Sequence, residues 1–246
     1  MKKVTFFLMS LLLLVSAPAR ELPDSAGING DSRVSFSINA DIVSRYIWRG
    51  LPLSLSPNIQ PYASISSGNL TIGTWASYGL SSPYAEIDLS VAYDLGPLTL
   101  ALNDYYNEDE TTLNLNDYFH FRSSGNSVSP HAVEGSVTFN ATDYFPVSIT
   151  AATFFLGNDR DEENNKYYST YIEASYTLSL NDYEIRFMAG GTPMEGYYAG
   201  KAALVNVGFT ASREIKITDA FTLPASLSLV VNPDANDIFL VFGLTF

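Results

Sequence analysis

Two imidazoles, His120 and His131, are the natural general-base candidates of this 246-residue chain, and with no cysteine it has neither thiol nucleophiles nor zinc-thiolate sites. A serine within reach of His131 would make a hydrolase. Ser127, Ser129 and Ser169 are the candidates, with His131 at the start of an extended segment. The sequence has no G-x-S-x-G turn, no H-E-x-x-H, no phosphate loop and no G-x-G-x-x-G to support an enzyme. A lipid-acting hydrolase therefore stands as the alternative to a non-enzymatic barrel, and no catalytic residue is assigned.

Charge offers a second chemistry. Asp41, Arg45, Arg49, Glu86, Asp88, Glu134, Glu173, Glu184 and Arg186 sit on the polar positions of alternating segments, six acids to three bases. If those positions face a narrow lumen, the charges must pair or stay hydrated, because stripping water from an unpaired ion costs several kcal/mol, of the order of the penalty for a buried charge. Two arrangements satisfy this: a salt-bridged plug that rigidifies the barrel, or an acid-lined pore that favours cations.

Further acids cluster at Glu108, Asp109 and Glu110 and at Asp159, Asp161, Glu162 and Glu163. Neither run has the central glycine of a calcium-binding EF-hand loop, so both are expected to be solvated loops, with no metal site and no cofactor. The sequons at Asn69-Leu70-Thr71 and Asn140-Ala141-Thr142 fall at turns and carry no function here. With 13 Lys and Arg against 26 Asp and Glu, and no basic cluster, the chain lacks the electrostatic footprint for nucleic acid.

The elements that must carry these groups are strands. From Val34 the even positions read Val34, Phe36, Ile38, Ala40, Ile42, Tyr46 and Trp48, and the odd ones Ser35, Ser37, Asn39, Asp41, Arg45 and Arg49. A period of two over that length predicts one strand with an apolar face and a polar face. The same alternation recurs from Leu70, Ala85, Leu98, Val133, Val147, Thr170, Tyr183, Val205, Leu223 and Ile238; with a weaker segment over Ile59 to Ile65, twelve strands are predicted.

Connectors alternate in length. Gly68-Asn69, Asp94 to Pro97, Ala141 to Phe145, Leu180 to Asp182 and Thr218 to Ala220 are tight turns, whereas Leu51 to Ser56, Leu80 to Pro83, Asn107 to Pro130, Gly157 to Lys166, Gly191 to Gly200 and Asn232 to Asp237 are generally longer. Short turns at one rim and long loops at the other predict an all-β, antiparallel transmembrane barrel with both termini in the periplasm.

Face chemistry separates this barrel from a soluble one. The polar faces carry Ser, Thr, Asn and Gly rather than the Lys and Glu of a water-facing exterior, so the apolar face is expected to point outward. Strand direction places Tyr46, Trp48, Tyr78, Tyr106, Phe155 and Tyr168 near the long-loop rim of that face. Phe36, Tyr93, Phe139, Tyr176, Tyr183, Phe221 and Phe246 fall near the short-turn rim, making two aromatic girdles.

The ends of the chain agree. Lys2 and Lys3, the apolar Val4 to Val15 and Ala17-Pro18-Ala19 read as a cleaved signal peptide over 1–19, too short for a membrane helix. A short periplasmic segment, 20–32, then leads into the barrel, 33–246. At the other end Phe242, Leu244 and Phe246 close an alternating strand on a terminal aromatic, the pattern of an assembly signal for barrel-assembly machinery.

Ser44-Arg45-Tyr46-Ile47-Trp48-Arg49-Gly50, followed by Ile59-Gln60-Pro61, Gly73-Thr74-Trp75-Ala76-Ser77 and Glu86-Ile87-Asp88, resembles the N-terminal part of the TorF-like (Gcw_chp) family of outer-membrane proteins, over roughly residues 38 to 106. The resemblance marks Ser44, Tyr46, Trp48, Arg49, Gly50, Gly73 and Trp75, and implies an exported barrel with no established activity and no catalytic residue. Where that family commonly has Asp after the motif serine, this chain has Arg45, so no role of that acid carries over.

The expected protein is thus an outer-membrane barrel of a Gram-negative-type bacterium, in contact with outer-membrane lipids. Its expected function is porin-like passage of a small solute or cation, with a closed structural or interaction barrel as a further alternative.

Overall fold

The computed structural model describes residues 34–109, 111, 117–123 and 127–246; the signal peptide, the segment 20–32 and Glu110 lie outside them. Every regular element among the described residues is a strand: β1 (Val34–Val43), β2 (Tyr46–Trp48), β3 (Leu51–Ser54), β4 (Asn58–Ser67), β5 (Leu70–Gly79), β6 (Tyr84–Asp94), β7 (Leu98–Asp109), β8 (His131–Phe139), β9 (Ser148–Gly157), β10 (Thr170–Leu180), β11 (Tyr183–Thr192), β12 (Ala203–Lys216), β13 (Thr222–Asn232) and β14 (Asp237–Thr245). Twelve of them close into an antiparallel barrel in the order β1, β14, β13 down to β4, while β2 and β3 pair with each other apart from the wall.

Alternation sets the faces as expected. Phe36, Ile38, Leu89, Val91, Leu100, Ile172, Phe187, Leu227 and Leu240 stand exposed on the outside, and their neighbours Glu86, Asp88, Glu134, Thr150, Glu173 and Thr210 are buried on the inside. Tyr93, Tyr176, Tyr183, Phe221 and Phe246 lie exposed at the short-turn rim, and Phe155 and Tyr168 at the other. Asn181, at φ 54°, adopts the left-handed conformation that its two-residue turn between β10 and β11 requires.

Two of the expected girdle members are elsewhere. The first strand was expected to run on through Trp48 and Arg49 with Tyr46 and Trp48 on the outer face; instead the wall strand stops at Val43 and the chain turns inward. Tyr46 is 5% exposed and its ring meets Trp75 and Tyr84 at 5.3 and 5.9 Å. Leu51 to Ser56, expected as an outer loop, supplies β3 of this internal hairpin. A two-residue alternation reports that two faces differ, and an inserted hairpin alternates as a wall strand does.

The barrel closes on a short seam. Asp41, Ile42 and Val43 oppose Thr245, Leu244 and Gly243, Ala40 and Phe246 exchange backbone bonds at 3.1 and 3.0 Å, and the Ser44 N–H donates to the Phe242 carbonyl at 2.8 Å. The Ser44 hydroxyl accepts the Phe242 N–H at 3.0 Å, and Thr245 Oγ1 donates to Asp41 at 2.5 Å. The terminal apolar residues and the motif serine thus form the closure.

Candidate functional site

The site grows from a two-residue turn. Arg49 and Gly50 both have positive φ, 50° and 81°, the conformation of a type I′ turn, and they reverse the chain so that Trp48 pairs with Leu51. Gly50 is required twice over, since a Cβ there would lie 1.8 Å from the Val205 carbonyl oxygen on β12. Its own carbonyl accepts from Asn232 Nδ2 of β13 at 3.2 Å. The hairpin therefore leaves the wall between β1 and β4, enters the lumen and docks its backbone tip on β12 and β13, from where the Arg49 side chain reaches β8 and β10 on the opposite wall.

Arg49 makes that docking specific. Its guanidinium grips Glu134 of β8 with both terminal nitrogens, at 2.5 and 2.9 Å, and donates to Tyr198 Oη at 2.5 Å. The Glu134 carboxylate also accepts from Tyr105 Oη at 3.1 Å. Both ions are nearly dry, with side-chain exposures of 7% and 0%. A forked guanidinium on a carboxylate is the geometry that offsets such desolvation.

Aromatic rings enclose the pair. The Arg49 guanidinium carbon lies 4.4 Å from the Trp48 ring centroid, 4.7 Å from that of Tyr171 and 5.8 Å from that of Tyr198. Trp48 in turn packs on Tyr105, Phe154, Tyr197 and Tyr198 at centroid distances between 5.5 and 6.3 Å. Tyr198 comes from the connector between β11 and β12; burial raises its phenol above the ordinary value although the Arg49 charge opposes this, so it stays a neutral hydroxyl.

A second network lies beside it. Glu173 of β10 accepts from Tyr171 Oη at 2.6 Å, from Asn206 Nδ2 at 2.9 Å and from Arg186 Nη2 at 2.9 Å, while Arg186 also reaches Ser175. Tyr171 fits because β11 has Gly190 opposite Glu173, where the Tyr171 ring leans: a Cβ on Gly190 would lie 2.1 Å from the phenol oxygen.

Glu86 and Asp88, on one face of β6, are different. Both are buried, Glu86 bonds Tyr84, and among the described residues no Lys or Arg forms an ion pair with either. Asp88 Oδ1 and Arg45 Nε are buried without a hydrogen-bond partner. Asp41 is tied into the seam, and Glu184 stands exposed toward the short-turn rim. Of the lumen charges expected from the sequence, the fold thus joins Arg49 with Glu134 and Arg186 with Glu173.

The motif residues find physical roles. Trp75 lines the lumen beneath Tyr46, and Gly73 leaves room for the Tyr62 ring, whose hydroxyl would lie 3.3 Å from an added Cβ. Tyr105, Tyr171, Tyr198 and Asn206 were not singled out in the sequence. Tyr105 and Tyr171 occupy the polar-face parity of their strands, and a tyrosine at a lumen position was the available signal.

His131 lies on the outer face at the long-loop rim, fully buried. Its Nδ1 faces Asp104 at 2.9 and 3.0 Å, its Nε2 faces the Tyr118 carbonyl at 2.5 Å, and Phe121 stacks on the ring at 4.1 Å. Ser129 Oγ accepts the His131 backbone N–H and donates to the His120 carbonyl, Ser127 Oγ lies 3.4 Å from His120 Nε2, and Ser169 Oγ is bound to Asp159. Both ring nitrogens of His131 are thus engaged, and they hold Tyr118 of the β7–β8 connector against the wall; Asn107 to Asp109, expected as the start of that loop, extend β7 instead. In the acidic connector after β9, Asn165 donates twice to Asp161, holding its carboxyl below the usual range, and Lys166 donates to the Phe155 carbonyl.

No family model and no curated protein matches the chain. Among solved structures it is similar to a triple mutant of the Rh. blastica porin, at 10% identity and a TM-score of 0.37 over 87% of this chain and 99% of that one. The likeness to the TorF-like family rests on the residues quoted above.

Proposed function

We propose that this protein is a porin-like barrel of a Gram-negative-type outer membrane, exported by its N-terminal signal and inserted by barrel-assembly machinery. It passes small solutes with a preference for cations, and the hairpin β2–β3 forms its constriction. The outward band of exposed Leu, Val, Ile and Phe supports contact with lipid, since water would not tolerate so continuous an apolar surface. A closed wall supports spanning, because it pairs strand edges that hydrocarbon cannot satisfy.

One observation carries the ionic preference. Two arginines are consumed by Glu134 and Glu173, which leaves Glu86 and Asp88 side by side at the hairpin without a basic partner. Uncompensated carboxylates at a narrow point attract cations and repel anions. The closed-barrel reading is favoured by the docked Arg49, which fills the same cross-section.

Planar-bilayer recordings across a salt gradient decide between them. The unmodified protein is expected to show a cation-selective reversal potential, and Glu86→Gln with Asp88→Asn is expected to move it toward zero, Glu173 being left in its pair with Arg186. Anion preference, or folded insertion without current, would count against the proposal.

A further inference from the structure

Arg49 occupies a site most of which belongs to the barrel wall. Glu134 on β8, Tyr105 on β7, Phe154 on β9 and Tyr171 on β10 are strand residues, so they remain in place wherever the hairpin tip goes. Together they offer a carboxylate with both oxygens presented to one fork, a phenol that holds one of those oxygens, and an aromatic face 4.7 Å from the bound cation. This chemistry selects a planar cation with two parallel N–H donors, not a compact ammonium or a donor-free quaternary cation.

The tethered occupant is also held incompletely. Arg49 Nε is buried without a partner, and its residue takes a left-handed backbone conformation, which is strained for a residue with a Cβ. A free guanidinium carries neither the tether nor the backbone strain.

We propose that the Glu134–Tyr105–Tyr171 pocket is a binding site for monosubstituted guanidinium solutes, with Arg49 as a built-in stand-in that such solutes displace. Displacement frees the hairpin tip from the far wall, so the solute that binds is also the one that opens its path. The inference rests on the passage reading only for this last step; binding itself does not require that the barrel conduct.

The test uses the full-length barrel refolded in detergent, with methylguanidinium as probe and methylammonium and tetramethylammonium as comparisons. In Arg49→Ala the pocket is vacant, and millimolar methylguanidinium is expected to raise the midpoint of heat modification saturably by several degrees, with the other two cations giving little change. The unmodified protein is expected to respond at higher probe concentration, and Arg49→Ala with Glu134→Gln not at all. Equal response to the three cations in Arg49→Ala, or a response that survives Glu134→Gln, would overturn the site. If Arg49→Ala refolds poorly, methylguanidinium added during refolding is expected to restore the folded yield selectively, and failure to do so counts equally against it. Conductance of the same preparations separates the two claims: selective binding without current removes the passage reading and leaves the site, whereas current without selective binding removes the site alone.

Discussion

Arg49 and Glu134 illustrate how a buried charge becomes tolerable only as half of a pair. Either ion alone would be left without its partner in a nearly dry setting, at a cost of about 3–5 kcal/mol for a buried pair broken from one side. Arg49→Ala and Glu134→Gln are each expected to lower the thermal midpoint of the folded barrel. The double variant should lose much less than the sum, because it leaves no orphan charge; additive losses in a double-mutant cycle would show that the two side chains act separately. The outer face obeys the opposite rule. Leu89 is 44% exposed on the outside of β6, so under the proposed membrane setting Leu89→Arg should destabilise by about 2–4 kcal/mol, while Ser90→Arg, pointing into the lumen, should be far milder. Equal losses in unfolding titrations would invert the assigned faces.

Elements rather than single contacts set whether the lumen is closed. The tip of the hairpin β2–β3 docks on β12 because Gly50 slides beneath the Val205 carbonyl, so Gly50→Val is expected to undock the tip while the twelve-strand wall stays closed. The measurement is single-channel conductance, which should rise, alongside unchanged heat-modifiable migration; a variant that conducts like the parent would mean that the hairpin does not limit passage. The last strand is the second such element. Its seam with β1 spans only Phe242 to Phe246 against Ala40 to Ser44, and a shortened end removes the backbone exchange between Phe246 and Ala40. Deleting Phe246 should leave export intact but lower the folded outer-membrane level, whereas Glu162→Ala in an exposed connector should not; full yield of the deletion by fractionation would argue against a C-terminal signal.

Over the whole molecule the proposed passage of cations rests on an excess of acid. The chain carries a formal net charge of −13, and the connector between β9 and β10 holds Asp159, Asp161, Glu162 and Glu163. The field of exposed loops is screened within about 3 Å at 1 M salt, while carboxylates inside a low-dielectric wall are screened much less. Cation selectivity is therefore expected to fall from low to high salt toward a residual value that depends on Glu86 and Asp88. Reversal potentials measured over a series of salt concentrations would show this plateau, and selectivity that vanishes entirely at high salt would assign it to the loops instead.

Strand number, the outward sense of the apolar face, the two kinds of rim and the position of the closing strand were all legible in the sequence, because a strand in a closed wall exposes its alternation directly in side-chain type. Leu98, Leu100 and Leu102 against Thr99, Ala101 and Asn103 need no partner to be assigned a face. The path of residues 44 to 57 was not legible. Tyr46 and Trp48 resume the parity of β1 after the single polar position Ser44, and nothing in the side-chain types distinguishes an outward-facing aromatic from one aimed into the lumen. That choice was made by groups distant in the chain: Glu134 is 85 residues from Arg49 and Tyr198 is 149, and Val205 and Asn232 receive the turn. Periodicity is a property of one segment, whereas the pairing of a buried charge is a property of the closed barrel, and so only the tertiary structure could turn a run of lumen charges into a pinned constriction.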